Sequence, residues 1–373
     1  LSVSPSTFDC SNVGPNTVTL TVTDNNGNVS TCNATVTVQD IVDPNAICQD
    51  ITVQLDGTGN INITSSQIDN GSSDNCGIAS MSVSPSTFNC SNVGANSVTL
   101  TVTDVNGNTS TCPATVTVED VEAPTAICQD LTIQLNASGS ASITASQIDN
   151  GSSDNCGIAS MSVSPSSFTC AGIGTNPVTL TVTDNYGNTS TCTAIITVQD
   201  NVDPVAICQD ITVQLDASGN ATITETQIDN GSNDNCGIAS LAIDNSTFDC
   251  SNIGTNTVTL TVTDVNGNIS SCTSTVTVED NVDPTAICQD ITVQLDASGN
   301  ASITAADIDN GSNDACGIAS LSVSPSAFSC SNIGANTVVL TVTDNYGNIS
   351  TCNATVTVED NVDPIAICQD ITV

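Results

Sequence analysis

The side chains able to do chemistry in this chain are carboxylates and thiols, and little else. Its 373 residues include 34 Asp, 5 Glu and 19 Cys but no Lys, Arg or His, leaving a net charge of −39. Without His there is no Ser-His-Asp or Cys-His relay, without Lys no Schiff base or phosphate loop, and without Arg no oxyanion clamp of the usual kind. Two-carboxylate glycosidase chemistry survives on residue type. Loops this short and repetitive offer it no deep cleft, so the chain is not expected to be an enzyme. The uncompensated charge excludes nucleic acid and anionic membrane surfaces as direct partners, and no membrane insertion is expected. What remains for the carboxylates is to hold cations, and for the thiols to cross-link.

The thiols are strictly periodic. Cys48, Cys128, Cys208, Cys288 and Cys368 stand in the same string, ICQD, 80 residues apart, and the other cysteines keep the same step. The period divides the chain into complete units at 43–122, 123–202, 203–282 and 283–362, with a partial unit at 1–42 and the start of another at 363–373. Each complete unit carries four cysteines. On this reading Cys10 and Cys32 lack partners upstream, Cys368 lacks one downstream, and the chain is a window onto a longer polymer. Evenly placed cysteines without CxxC pairs or His point to disulfides, an oxidising compartment and an extracellular protein rather than to zinc or redox catalysis.

The elements that position these residues read as strands. Val, Ile and Leu alternate with Thr through much of each unit, and turn signals recur every 8 to 12 residues. In 283–362, AICQDITVQLD reads as a strand, ASGN as a turn, ASITAADI as a returning strand and DNGSNDACG as a loop. IASLSVSP and SAFSC follow around a Ser-Pro bend, then TVVLTVTD, the turn NYGN and ISTCNATVTVED. Nothing in the unit has helical periodicity. Six or seven short strands in about 80 residues predict an all-β array of tandem immunoglobulin-like β-sandwich domains arranged end to end. The NVDP junction leaves almost no linker, so neighbouring repeats of the same chain are expected to couple closely.

Four cysteines allow three pairings. Cys112 lies four residues past Asn106-Gly107-Asn108 and faces about Thr101, well along the strand from Cys90, which disfavours that pair. If the edge strands are neighbours, Cys48 faces Cys112, leaving Cys76 for Cys90 across the Ser-Pro bend. The expected set is Cys48–Cys112 with Cys76–Cys90, Cys128–Cys192 with Cys156–Cys170, Cys208–Cys272 with Cys236–Cys250, and Cys288–Cys352 with Cys316–Cys330. In the chain-entropy view the long loop contributes ~4 kcal/mol and the short one ~3 kcal/mol.

The same strand order gathers acidic residues at the N-terminal pole of each unit. Before residue 283 it brings Glu279, Asp280 and Asp283 toward Asp309, Asp314, Asp344 and Asn348. The corresponding candidates are Asp40, Asp43, Asp69, Asp74, Asp104 and Asn108; Glu119, Asp120, Glu122, Asp149, Asp154 and Asp184; Asp200, Asp203, Asp229, Asp234 and Asp264; and, at the last junction, Glu359, Asp360 and Asp363. Hard oxygen ligands in that number suit Ca2+ better than magnesium or a transition metal. The unit 123–202 carries only five acidic residues, against nine in 43–122 and eleven in 203–282, and Ala123 removes a carboxylate there. That junction is expected to bind the cation more weakly and to bend more, with Glu122 as a partial substitute. The competing reading for any single Asp is an Asx-turn.

TVTDVNGNISSCTSTVTVED followed by NVDPTAICQD resembles the hyalin repeat (HYR) family, with its D-x-x-G-N turn, following Cys, alternating valines and proline junction. The extra pair exemplified by Cys76 and Cys90, and the string DNCGIAS, resemble the variant in giant cell-surface proteins of Bacteroidetes, including gliding-motility adhesins of the type IX secretion system. The resemblance implies pairing of the first and last cysteines of each unit and a stalk or filament segment of a bacterial surface adhesin. A repeat that binds a glycan or surface, and a fibre whose chains self-associate laterally, are the rivals. Thr99, Thr101 and Thr103 could form an ice-binding hydroxyl array, though Thr is also an ordinary strand former. Sequons such as those at Asn28, Asn33, Asn62 and Asn268 match by composition in so Asn- and Thr-rich a chain.

Overall fold

The computed structural model describes residues 1–369; the end of the stretch assigned to a following repeat, 370–373, lies outside them. The chain divides into two units, residues 1–134 with 140–199 and residues 135–139 with 200–373. Both are built from one kind of repeat.

In the repeat 43–122, strands run over Ile51–Gln54, Asn60–Asn62, Ile78–Ser84, Thr87–Asn89, Gly94–Asp104 and Thr109–Glu119. The first, sixth, fifth and third form one sheet in that order, and Asn60–Asn62 pairs with Thr87–Asn89 in the second. Pairing is antiparallel except at the edge, where Ile51–Gln54 runs parallel to the last strand, Ile51 opposite Val116 and Gln54 opposite Glu119. This is an immunoglobulin-like sandwich, the all-β class expected from alternation and turn spacing.

The long hairpin builds the core. Val98, Leu100 and Val102 alternate inward on one strand, Ala114, Val116 and Val118 on its partner, and they meet Leu55, Ile63, Ile68 and Phe88 from the opposite layer. The outward positions between them are mostly Thr and Ser, which tolerate water on a pleated face. In the partial repeat, Leu20 is 37% exposed where Leu100 is 0%. The difference is the covering layer supplied by the first half of a complete repeat.

Two expectations from the pattern need correction. The stretch from Ala46 to Asp56 is not one strand: Cys48 bridges to Asp69, and only Ile51–Gln54 joins the large sheet. The returning strand is three residues long and gives way to a single α-helical turn, Ser65–Ile68. Thr64 and Gln67 cap that turn reciprocally, and Ile68 drops from it into the core. Three or four residues carry too little periodicity to reveal a helix, but the Thr-x-x-Gln spacing carries the cap.

The disulfides fall into two kinds. Within repeats, Cys48–Cys112, Cys128–Cys192, Cys208–Cys272 and Cys288–Cys352 each join residues 64 apart, with Cα atoms 5.8–6.0 Å from each other. Cys112 stands opposite Leu100 in the hairpin, one residue from the position read off the turn.

The expected short pairs Cys76–Cys90, Cys156–Cys170, Cys236–Cys250 and Cys316–Cys330 do not form. Instead Cys10 pairs with Cys76, Cys90 with Cys156 and Cys250 with Cys316, each 66 residues apart and each joining two successive repeats. Cys170 and Cys236 are also disulfide-bonded, while Cys32, Cys330 and Cys368 are free and exposed. The partner of Cys10 therefore lies downstream.

The reason lies in the sheet. Ile78 faces Asp104 and Ser84 faces Thr99, so Cys76 sits at the hairpin pole, while Cys90 sits at the other pole just before Gly94. The eleven-residue strand between the poles spans roughly 35 Å, far beyond the ~7 Å limit for a disulfide. The Ser-Pro bend joins strands of different sheets and never brings the two thiols together.

Candidate cation centre at the repeat junctions

Three loops meet at the junction between successive repeats. The first is the hairpin turn, in which Asp184 Oδ1 accepts the backbone N–H groups of Tyr186 and Asn188 at 2.8 and 2.9 Å and Oδ2 accepts Asn188 Nδ2 at 2.7 Å. Gly187, at φ 96°, makes the left-handed step that closes this ring. The second is Asp154-Asn155-Cys156-Gly157. Asp154 Oδ2 accepts the Cys156 N–H at 2.7 Å, and its Oδ1 is buried without a partner. The third is the end of the preceding repeat, where Asp120 accepts the Glu122 N–H on Oδ1 and keeps Oδ2 buried without a partner.

Asp120, Asp154 and Asp184 each offer an oxygen, and the three atoms lie within 4.8 Å of one another. Asp120 is 6% and Asp184 1% exposed. In unit 2, Asp200, Asp234 and Asp264 make the same group. At the other two junctions the groups are Asp40 with Asp74 and Cys76, and Asp280 with Asp314 and Cys316. Buried oxygens without partners recur on Asp74, Asp200, Asp234 and Asp280. Isolated carboxylate oxygens of this kind are costly unless something neutralises them, and no side chain of this protein can.

Titration follows the same geometry. Burial pushes the Asp120 carboxyl above the ordinary range, and the charges of Asp154 and Asp184 push the same way, against the Glu122 N–H and the Asn155 side chain. For Asp184 burial is again the largest single influence and acts upward, but the Asn188 side chain and the N–H groups of Tyr186 and Asn188 together hold the carboxyl below it. Asp104, Asp264 and Asp344 are lowered for the same reasons in their own hairpins.

Asn residues of the hairpin tie the junction together. Asn108 Nδ2 reaches the Asp40 carbonyl at 3.2 Å as well as Asp104 Oδ2 at 2.7 Å; Asn188 reaches the Asp120 carbonyl at 3.1 Å, Asn268 that of Asp200 at 3.2 Å, and Asn348 that of Asp280 at 3.0 Å.

Other sequence candidates lie elsewhere. Asp69, Asp149, Asp229 and Asp309 close Asx-turns onto Ser72, Ser152, Ser232 and Ser312. Asp43, Asp203, Asp283 and Asp363 are exposed and belong to none of the groups formed by the described residues. Glu279 and Glu359 accept from Gln214 and Gln294, Glu119 is exposed, and Asp360 takes the Val362 N–H. Glu122 contributes its backbone N–H to Asp120 while its side chain is exposed.

The junction at Ala123 was expected to be depleted, yet it holds a complete triad. The carboxylate that Ala123 lacks corresponds to exposed Asp43, Asp203 and Asp283, so its loss removes nothing from the group.

Residues the pattern did not single out complete the junction. Asn155 Nδ2 donates to the Asp56 carbonyl at 3.0 Å, and its Oδ1 is buried without a partner. The Tyr186 hydroxyl donates to the Cys90 carbonyl. The recurrent string Asp-Asn-Cys-Gly at 74, 154 and 234 was the available signal, and only the fourth copy changes, to Ala315.

Fold, cysteines and junctions together define an array of tandem, disulfide-linked immunoglobulin-like β-repeats of extracellular type. Sequence comparison finds similarity to hyalin of Strongylocentrotus purpuratus, 29% identical over 390 residues covering 96% of this chain. The match takes up 32% of hyalin, so the chain spans about a third of that relative's length. No family model matches. Among solved structures, the extracellular cadherin domains 1–5 of protocadherin gamma B2 align over 94% of this chain and 87% of their own at 11% identity, TM-score 0.30. The immunoglobulin domains 1–5 of sidekick-1 align over 95% and 87% at 8% identity, TM-score 0.29. No helix among the described residues is long and apolar enough to cross a membrane.

Proposed function

We propose that the chain is a structural spacer: a stalk or filament segment of a secreted, repetitive bacterial surface adhesin, with its junctions fixed by disulfides and by calcium. It holds a distal binding region away from the cell and performs no catalysis. The observation that carries this reading is the junction triad of Asp120, Asp154 and Asp184, whose carboxylates converge and in which Asp120 and Asp154 each bury an unpartnered oxygen, in a chain without a single basic side chain. A hard divalent cation answers that arrangement, and carboxylate, Asn and carbonyl oxygens favour Ca2+ over the smaller Mg2+, which demands near-octahedral geometry and sheds water reluctantly. Sameness of the repeats supports a spacer, since a dedicated binding module would differ from its neighbours. The bacterial surface rests on the resemblance of the DNCGIAS variant.

Calcium titration by calorimetry, with magnesium as the competitor, tests the cation. Small-angle scattering in calcium and in chelator tests the spacer. The reading expects saturable calcium binding at the junctions and a longer, less flexible particle with calcium. Absence of binding leaves the carboxylates as solvated turns and removes the cation from the mechanism.

A further inference from the structure

The two kinds of disulfide are offset so that each covers the gap left by the other. In unit 1, Cys48–Cys112 and Cys128–Cys192 leave residues 113–127 unspanned, and that gap contains the whole junction from Asp120 to Pro124. Cys90–Cys156 spans it. Conversely, Cys10–Cys76 and Cys90–Cys156 leave 77–89 unspanned, the stretch holding the Ile78–Ser84 strand and the Ser-Pro bend, and Cys48–Cys112 spans that. Every peptide bond from Cys10 to Cys192 therefore lies inside at least one disulfide loop. In unit 2, Cys208–Cys272, Cys250–Cys316 and Cys288–Cys352 overlap in the same way from Cys208 to Cys352.

We propose that this interleaving makes the array covalently redundant, so that its continuity depends on no single backbone bond within these ranges. A protease that cuts one loop or one junction opens a ring and severs nothing. The within-repeat bonds alone could not do this, because the exposed junctions would remain single-stranded covalent links. The repeat-to-repeat bonds close that gap, and the fold makes room for them: Gly59, at φ +74°, passes so close that a Cβ there would stand 2.7 Å from Cys90 Sγ, and at Gly219 2.8 Å from Cys250 Sγ. Redundancy of this kind suits a protein exposed to foreign proteases and beyond repair by the cell.

The sequence supplies its own test, because a chain without Lys or Arg has no trypsin site. Glu122→Lys introduces one, in a junction spanned only by Cys90–Cys156. The oxidised protein is digested in urea, which opens the fold and leaves disulfides intact, until a reducing gel shows complete cleavage. Without reductant the cut protein is expected to migrate as one species, and with reductant as two. Adding Cys90→Ser and Cys156→Ser is expected to release two fragments without reductant. A second cut, from Asn106→Lys, falls inside both Cys48–Cys112 and Cys90–Cys156 and is expected to stay joined even in the double-serine background. The proposal is overturned if cut Glu122→Lys protein separates without reductant, or if the double-serine protein cut at 122 stays whole.

Discussion

In the protein carrying Asp40→Asn, Asp120→Asn, Asp200→Asn and Asp280→Asn, one carboxylate leaves each junction group while the geometry stays. The Oδ1 atoms of these residues accept N–H groups from Val42, Glu122, Val202 and Val282 at 3.1 to 3.3 Å, and Asn Oδ1 accepts them equally well. At Asp120, Asp200 and Asp280 what changes is the buried second oxygen, which becomes an NH2 able to donate to the neighbouring carboxylates; at Asp40 the second oxygen accepts from Asn106 Nδ2 at 2.8 Å, a bond the variant loses. At the 4.8 Å limit within which the Asp120, Asp154 and Asp184 oxygens lie, two unit charges repel by roughly 3 kcal/mol at an effective dielectric of about 20. Water and salt at the rim absorb part of this, leaving a relief of about 1 to 2 kcal/mol per junction without cation. For domains of this size that raises the melting temperature by roughly 5 to 10 °C in chelator. With calcium the sign reverses. A ligand at about a hundred times its Kd stabilises the unaltered protein by about 2.7 kcal/mol per site, and the variant loses most of it. Differential scanning calorimetry in chelator and in millimolar calcium reads both arms. The same direction of shift in the two buffers, or a calcium-independent midpoint in the unaltered protein, refutes the reasoning.

Acidity gives an independent check on the chelated protein. Asp120 is raised in the fold, so stability is expected to grow as pH falls from neutrality through its folded value. Asp184 and its counterparts are lowered, so their contribution is present above the ordinary carboxylate range and disappears as pH falls through the folded values. A midpoint-versus-pH curve peaking on the mildly acidic side is the expected result, and a monotonic decline from neutrality counts against the clustered carboxylates. Asn188→Ala removes the bonds to the Asp120 carbonyl and to Asp184 Oδ2 and is expected to cost about 2 to 3 kcal/mol, seen as faster hydrogen exchange around residues 120–124. Leu180→Ala, at a fully buried position, should destabilise its repeat by about 2 to 5 kcal/mol in denaturant unfolding. Gly59→Ala places a methyl against Cys90 Sγ and is expected to expose thiols at Cys90 and Cys156 to alkylation while Cys48–Cys112 stays closed.

The sandwich was legible because its information is local and repeated. The alternation of Val98, Leu100 and Val102 with Thr, and the Asn-Gly turn at 106–107, fix a hairpin and its inward face. The convergence of Asp120, Asp154 and Asp184 was legible too, since strand order alone sends three separate loops to one pole. What the pattern could not resolve was contact between repeats. A strict period assigns every residue to a class without saying whether Cys76 meets a partner in its own repeat or in the one before. The choice depends on which pole each thiol occupies, and that is set by the register of Ile78 on Asp104. The same ambiguity put weight on Ala123, whose counterparts in the other repeats turn out to face water.

The 66-residue bonds also decide how far the chain can be drawn out. Pulled from its ends, a polypeptide of folded domains normally lengthens as each unravels, an 80-residue repeat giving up roughly 280 Å of chain. Here the load passes from Cys10 across sulfur to Cys76, runs along the backbone only to Cys90, and crosses again to Cys156. Fully straightened, the stretch from Cys76 to Cys90 measures about 50 Å, little more than the roughly 35 Å between poles that it already covers. A repeat denatured between these bonds would therefore barely lengthen, and from Cys10 to Cys156 the oxidised chain behaves as a tether with almost no hidden slack until a reductant lets it out.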